Sequence, residues 1–349
     1  MFNKSQAAMQ SIVLHHIGNK ANEEGIRFSR TLLSVPDPDL NNILMNYFTT
    51  GFKNEVFYNF YHPLNELDKN LMYSTLRKVF DDPELLLEQS VIVAEQLYNC
   101  SNHPKIKSGE LYMVYFTDLV VEDELTDAIG IFKSENKETY LKIFPKGEGF
   151  GLLYEDGINI QKLDKGCIVF NTEADLGYKI VMVDNINKNS EAQYWKDEFM
   201  QVKPRPDNFY ATTQILDICK GFCEQVLVPE NQIEKQEQIE FAQKTAEYFQ
   251  THEAFDQNEF EKVVIDKPKL QKAFNDYKNM YVESNEIELD ESFDIAPGAA
   301  KNAKKYFKSV IKLDKNFHVY VHAKPEFIEK GYDEEKEMNF YKLFYNEEN

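Results

Sequence analysis

The sequence is short of tryptophan (one residue) and of cysteine (four residues), and it is short of positive charge. Cys100, Cys167, Cys219 and Cys223 follow no disulfide or C-x-x-C pattern, which speaks against a disulfide scaffold and fits a reducing cytosol. No apolar run approaches the roughly 18 residues needed to cross a bilayer, so no membrane span is expected. The opening MFNKSQAAMQSIVLHHIGNK lacks an apolar stretch followed by a small-residue cleavage site, so no secretory signal is expected. The expectation is a soluble, cytoplasmic protein. Lysine and arginine number 39 against 59 aspartate and glutamate, a net charge of −20. Such a surface repels phosphate, so any nucleic-acid contact needs a local basic patch or a partner protein.

Aromatics are plentiful, with 26 Phe and 20 Tyr, and 42% of the residues are hydrophobic, enough for a large core. At 349 residues, two domains are expected. AMQSIVLHHIG, residues 8–18, reads as a first strand. LNNILMNYFTTGF repeats its apolar residues at helical spacing, with Asp39 placed to cap it. Asp81-Asp82-Pro83-Glu84 is a helix start, with Asp81 as cap and ELLLEQSVIVAEQLYNC as the helix. From Gly109 to about Asp184 the period becomes two: ELYMVYFTDLVV, DAIGIFKS, TYLKIF, INIQKL, GCIVFN and YKIVMVD are short runs between turns. Sequential strands of this kind make an antiparallel sheet, with helices on one side. KPRPDN then marks a boundary, and the chain turns helical before the closing strands NFHVYVHA and NFYKLFYN. The reading is α+β: residues 1–205 an α+β domain on an antiparallel sheet, and residues 206–349 a mainly helical domain ending in a β-hairpin.

Chemistry-bearing residues are sparse. GEGFG, residues 147–151, has neither the following helix nor the Gly-Lys-Ser/Thr ending of a phosphate-binding loop and reads as a hairpin connection. His318 and His322 would share one face of a strand and could supply half of a zinc site, but no third ligand lies nearby in sequence. His15 and His16 point to opposite faces of the first strand. Cys219 and Cys223 sit one helical turn apart on an apolar face and read as core. Asp127, Glu135 and Lys137 form a loose carboxylate…Glu-x-Lys pattern, the basis of a metal-dependent nuclease reading. Against it, SENKET looks like a mobile hairpin tip. No catalytic residue, metal or cofactor is assigned.

The most informative stretch is KNAKKYFKSVIKLDKNFHVYVHAK, residues 301–324, which carries seven lysines and one acid. Its net of +6 leaves −26 for the remainder of the −20 chain. Lys301, Lys304, Lys305, Lys308 and Lys312 fall at helical spacing on one face, with Phe307, Val310 and Ile311 on the other. A lysine stripe can lie along phosphates without reading sequence. It can equally be a solvated face paired with acidic surface such as ELDESFD.

The chain also resembles a family. SIVLHHIGNK, SGELYMVYFTDLVV, ELDESFDIAPGAAKNAKKYF and IKLDKNFHVYVHAKPEFIEKGYDEEKEMNFYKLFYN occur in an order similar to that of the bacterial nucleoid-associated protein family NdpA, from about residue 8 to the end. These motifs are structural and transfer no catalytic residue. The resemblance implies a non-enzymatic protein of the cytoplasmic nucleoid. Contact with DNA would be direct, through the lysine stripe, or indirect, through a nucleoid protein such as a topoisomerase for which this acidic chain serves as adaptor. Homo-oligomers are compatible with either.

Overall fold

Apolar residues at every position of a strand, rather than at alternate ones, mean that both faces of its sheet are covered. LYMVYF, residues 111–116, is such a run. In the computed structural model it lies at the centre of a sheet buried on both sides. The structure describes residues 2–52, 56–186, 194–228, 231, 233, 235–285, 287–301, 303, 307, 310–314, 316–320 and 327–347. Its contacts divide the chain into two units, Met1–Arg205 and Pro206–Asn349.

The first unit runs β1 (Phe2–Asn3), β2 (Ala8–Ile17), β3 (Ile26–Arg27), α1 (Pro38–Thr49), β4 (Tyr58–Phe60), α2 (Leu71–Asp81), α3 (Leu86–Cys100), β5 (Gly109–Val121) and β6 (Glu124–Ser134). It continues with β7 (Lys137–Lys146), β8 (Gly149–Ile158), β9 (Lys165–Phe170), β10 (Lys179–Asp184), a π-helical segment Tyr194–Met200 and β11 (Val202–Pro204). Nine strands form one antiparallel sheet in the order β11-β4-β10-β9-β6-β5-β2-β3, with β1 added beside β5. β7 and β8 stand apart as a separate two-stranded hairpin.

Strand alternation sorts the central residues into two cores. Leu111, Met113 and Tyr115 of β5 join Ile129, Ile131, Cys167 and Val169 beneath α2 and α3. Tyr112, Val114 and Phe116 join Phe132, Ile168 and Phe170 beneath Tyr47 and Phe48 of α1. Helices therefore cover both faces, where the sequence reading put them on one. The cause is that both alternating sets of β5 are apolar. The α1 side is aromatic: Phe48 stacks on Phe132 at 4.5 Å, and Phe116 meets Phe132 edge-on at 6.3 Å. Gly130 makes room for this wedge, since a Cβ there would stand 2.4 Å from the Phe132 ring and 2.7 Å from that of Phe116.

Helix starts differ from the sequence reading by a residue or two. Asp37, not Asp39, caps α1 by accepting the Asp39 N–H at 2.9 Å, and Pro38 fills the first turn. Asp82, not Asp81, accepts the Glu84 N–H at 3.1 Å and opens the short turn Pro83–Leu85 that leads into α3. α2 has no counterpart in the sequence reading. Residues 159–163 of INIQKL turn instead of forming a strand, and GFGLLYEDGI takes that role as β8.

The second unit runs α4 (Asn208–Gln225), α5 (Lys235–Thr251), β12 (Ala254–Asp256), α6 (Gln257–Val264), α7 (Pro268–Ser284), β13 (Ser292–Asp294) and α8 (Pro297–Ala300). Two hairpins close it, β14 (Val310–Leu313) with β15 (Phe317–Tyr320) and β16 (Ile328–Asp333) with β17 (Met338–Leu343). The helices pack around Phe222, whose ring lies 5.4 Å from Phe241 and 5.3 Å from Phe274. Cys219 and Cys223 are buried in this core, and burial pushes the Cys219 thiol well above its ordinary value. The molecule is α+β, with an antiparallel sheet and helices first and helices with small hairpins after. Among the described residues no helix is long and apolar enough to cross a membrane.

Candidate functional site

The lysine stretch is not one helix. α8 ends at Ala300, and Lys301 follows as its exposed C-cap. Val310–Leu313 is a strand, so position 312 does not continue a helical face from position 301. Lys304, Lys305 and Lys308 lie outside the described residues. β14 pairs with β15 so that Ile311 faces Val319 and position 312 faces position 318. Ile311 is buried with Ile239 and Ile328, and Val319 and Leu313 pack against them. This small core fixes which face of the hairpin is inward and puts Tyr320 on the outer one. Tyr320, on that outer face, is 64% exposed. His322 lies outside the described residues.

The nuclease constellation is not assembled. Asp127 lies on β6 and Glu135 just past its end, eight residues further along the extended chain, about 26 Å at ~3.3 Å per residue. Asp127 accepts a hydrogen bond from the Tyr115 hydroxyl at 2.9 Å. Lys137 has moved onto the β7–β8 hairpin, where it pairs with Glu110 at 2.9 Å. Nor is Glu135 at a mobile tip. Its side chain is only 4% exposed, 3.0 Å from the Lys133 ammonium, and it accepts a hydrogen bond from the Tyr194 hydroxyl at 3.1 Å. The chain leaves the sheet at this point, and Asp164 holds the exit by accepting the N–H groups of Glu135 and Asn136 at 2.7 and 2.8 Å.

Around Glu135 the structure gathers charges that the sequence reading missed. Lys133 of β6 and Lys165 of β9 are cross-strand partners, both fully buried, and Asp184 of β10 is the next partner in the row. Lys165 pairs with Asp184 at 2.7 Å, and Lys133 donates to the Lys107 carbonyl at 2.8 Å. Both ammonium groups lie over the Tyr194 ring, 6.0 and 5.5 Å from its centre. Burial lowers the Lys133 pKa, with the Glu135 charge opposing that shift, and burial pushes the Tyr194 phenol up. The signal was present in the strand parity. Lys133 sits two residues from Ile131, and Lys165 two from Cys167, so each takes the inward position of its strand. A buried array with every charge matched can lock the sheet end to the Tyr194–Met200 segment. Among the described residues its charged side chains are 0–13% exposed, so it is closed to a substrate.

His15 is likewise structural. Its Nδ1 accepts the Ser29 N–H at 3.0 Å, which places the proton on Nε2, 2.9 Å from the Ser90 hydroxyl. Burial lowers its pKa, consistent with a neutral ring. Among the described residues no group of three or more His, Cys, Asp or Glu is arranged to hold a metal ion.

The family model described as Nucleoid-associated protein YejK (NA37) matches residues 13–347, nearly the whole chain. No curated protein matches it.

Proposed function

The chain belongs to the NA37 family of nucleoid-associated proteins, and from that premise we propose that it is a non-enzymatic nucleoid factor that touches DNA through its lysine segment. Lys301, Lys304, Lys305, Lys308 and Lys312 are the contacts, made to phosphate and indifferent to base sequence. The observation that carries this reading is the segregation of charge: +6 over residues 301–324 in a chain of −20. Lys301 is exposed and Ile311 anchors the β14–β15 hairpin, which is compatible with such a contact.

A second reading follows from the −26 on the remainder of the chain. There the acidic surface docks a basic face of a DNA-acting enzyme, a topoisomerase for example, and the protein reaches the nucleoid as an adaptor. Duplex binding measured across a salt series separates the two. The expected result is binding by the wild type that weakens with salt and is mostly lost in Lys304→Glu/Lys305→Glu/Lys308→Glu. Absence of binding by the wild type at low salt overturns direct contact and leaves the adaptor reading.

A further inference from the structure

The β7–β8 hairpin has one mixed face, on which Leu153 is 52% and Tyr140 49% exposed beside charged partners, and one face with a wholly apolar patch. Cross-strand partners share a face. Tyr140 lies opposite Glu155, Lys142 opposite Leu153 and Phe144 opposite Gly151. On this side the Tyr140 hydroxyl donates to Glu155 at 2.7 Å, and Lys142 approaches the same carboxylate at 3.7 Å. The Phe144 ring covers Gly151, where a Cβ would stand 2.4 Å from it. The other side carries Leu141, Ile143 and Pro145 opposite Tyr154, Leu152 and Phe150. These six form an unbroken apolar patch with no charge among them. Phe150 is 80% exposed, Tyr154 74% and Ile143 67%.

An isolated two-stranded hairpin is marginal in water, and one with a bare apolar face is more so. Ten residues per strand make it roughly 30 Å long, and it pairs with no other described strand. We propose that this face is a self-association surface: two copies of the chain pack Leu141, Ile143, Pro145, Phe150, Leu152 and Tyr154 against the same residues of a second copy.

Three observations select a second copy as the occupant. The first is area. At these exposures the six side chains offer roughly 700 Å², close to the ~800 Å² that each partner contributes to a stable interface. The second is chemistry. An apolar patch without charged members is complementary to itself, as an isologous contact requires, and it has nothing with which to hold phosphate. The third is charge. The chain carries −20, yet Lys137–Ile158 holds three lysines and four acids, a net of −1. Two strongly acidic molecules repel least where they meet through such a nearly neutral arm.

The test is the molar mass of the full chain by sedimentation velocity over a concentration series. The wild type is expected at twice the chain mass. Ile143→Lys/Leu152→Glu places an opposite-charge pair on facing positions, which keeps the hairpin's own pairing while charging the patch. This variant is expected at the single-chain mass, with self-association at least about a hundredfold weaker and an unchanged circular dichroism spectrum. Leu153→Glu, a comparably exposed site on the mixed face, is expected to remain dimeric. Phe150→Ser provides a second disruption at the most exposed position. A monomeric wild type up to high concentration overturns the proposal. So does a wild-type dimer that survives both patch variants, or that dissociates equally in Leu153→Glu.

Discussion

Lys133 and Glu135 show how a charge can be held inside an apolar sheet, and what removing half of such a pair does. Both are buried, and their ion pair is 3.0 Å long. Taking away the lysine leaves a carboxylate in a dry site without its cation, the Tyr194 hydroxyl still bonded to it, so Lys133→Met is expected to destabilise the first unit by about 3–5 kcal/mol. Lys133→Met/Glu135→Leu removes both charges and is expected to recover much of that loss. Urea unfolding of the wild type, both single variants and the double variant checks this. A double variant as unstable as the sum of the singles sinks the coupling. Strand parity is the one mark of this pair in the sequence, and it was easy to pass over for a physical reason. Lysine at the end of an apolar strand usually reaches water, and only the cover supplied by Tyr194, about sixty residues downstream, makes Lys133 an interior residue. By contrast, the burial of Cys219 and Cys223 was legible, because their spacing and the apolar residues around them already define one helix face.

At the scale of elements, what a strand or helix needs locally was readable, and what it borrows from a distant segment was not. The short runs read as strands from Gly109 to Asp184 became β5, β6, β7, β9 and β10, because run length, β-favouring residues and the turn residues between them are local signals. The placement of α1 on the face opposite α2 and α3 depends on the sheet order, which no local pattern carries. α2 is instructive. Its cap, Asn70, is fully buried and uses its whole amide. The oxygen accepts the Tyr73 N–H at 3.0 Å, while the nitrogen donates to the carbonyls of Tyr61 at 2.9 Å and Gln201 at 3.0 Å. Asn70 therefore starts the helix and ties it to the β4–β11 edge. Asn70→Ala is expected to cost roughly 2–3 kcal/mol, the sum of a lost cap and unpaired carbonyls. Asn70→Ser keeps a capping oxygen but cannot reach both carbonyls, so it should fall between the two. Thermal or urea melts give the order, and a serine variant no better than alanine would assign the effect to the two carbonyls alone.

For the whole molecule the governing fact is an acidic chain with a lysine-rich segment near its end. Composition exposed that segregation from the start, and the family resemblance, carried by motifs from about residue 8 to the end, was strongest in the final sixty residues. What composition could not settle was geometry: Lys312 is in a strand, so the five lysines cannot be spaced along a single helix. Phosphate binding does not need that helix. It needs cations that a backbone can meet one after another, and each contact releases a counterion. This gives the direct-contact reading a numerical form. With five lysines engaged, the logarithm of the association constant should fall with the logarithm of salt at a slope of about −4 to −5, at roughly −0.9 per contact. Reversing Lys304, Lys305 and Lys308 should leave a slope near −2 with much weaker binding, and unrelated duplexes should give the same values because no base is read. The acidic remainder acts through the same variable in the opposite sense, since its repulsion of DNA is also screened by salt. A slope shallower than the lysine count allows would mean that the two effects partly cancel, and replacing acidic residues of ELDESFD with their amides should then steepen it. A slope unchanged by the triple substitution would place the contact elsewhere on the chain.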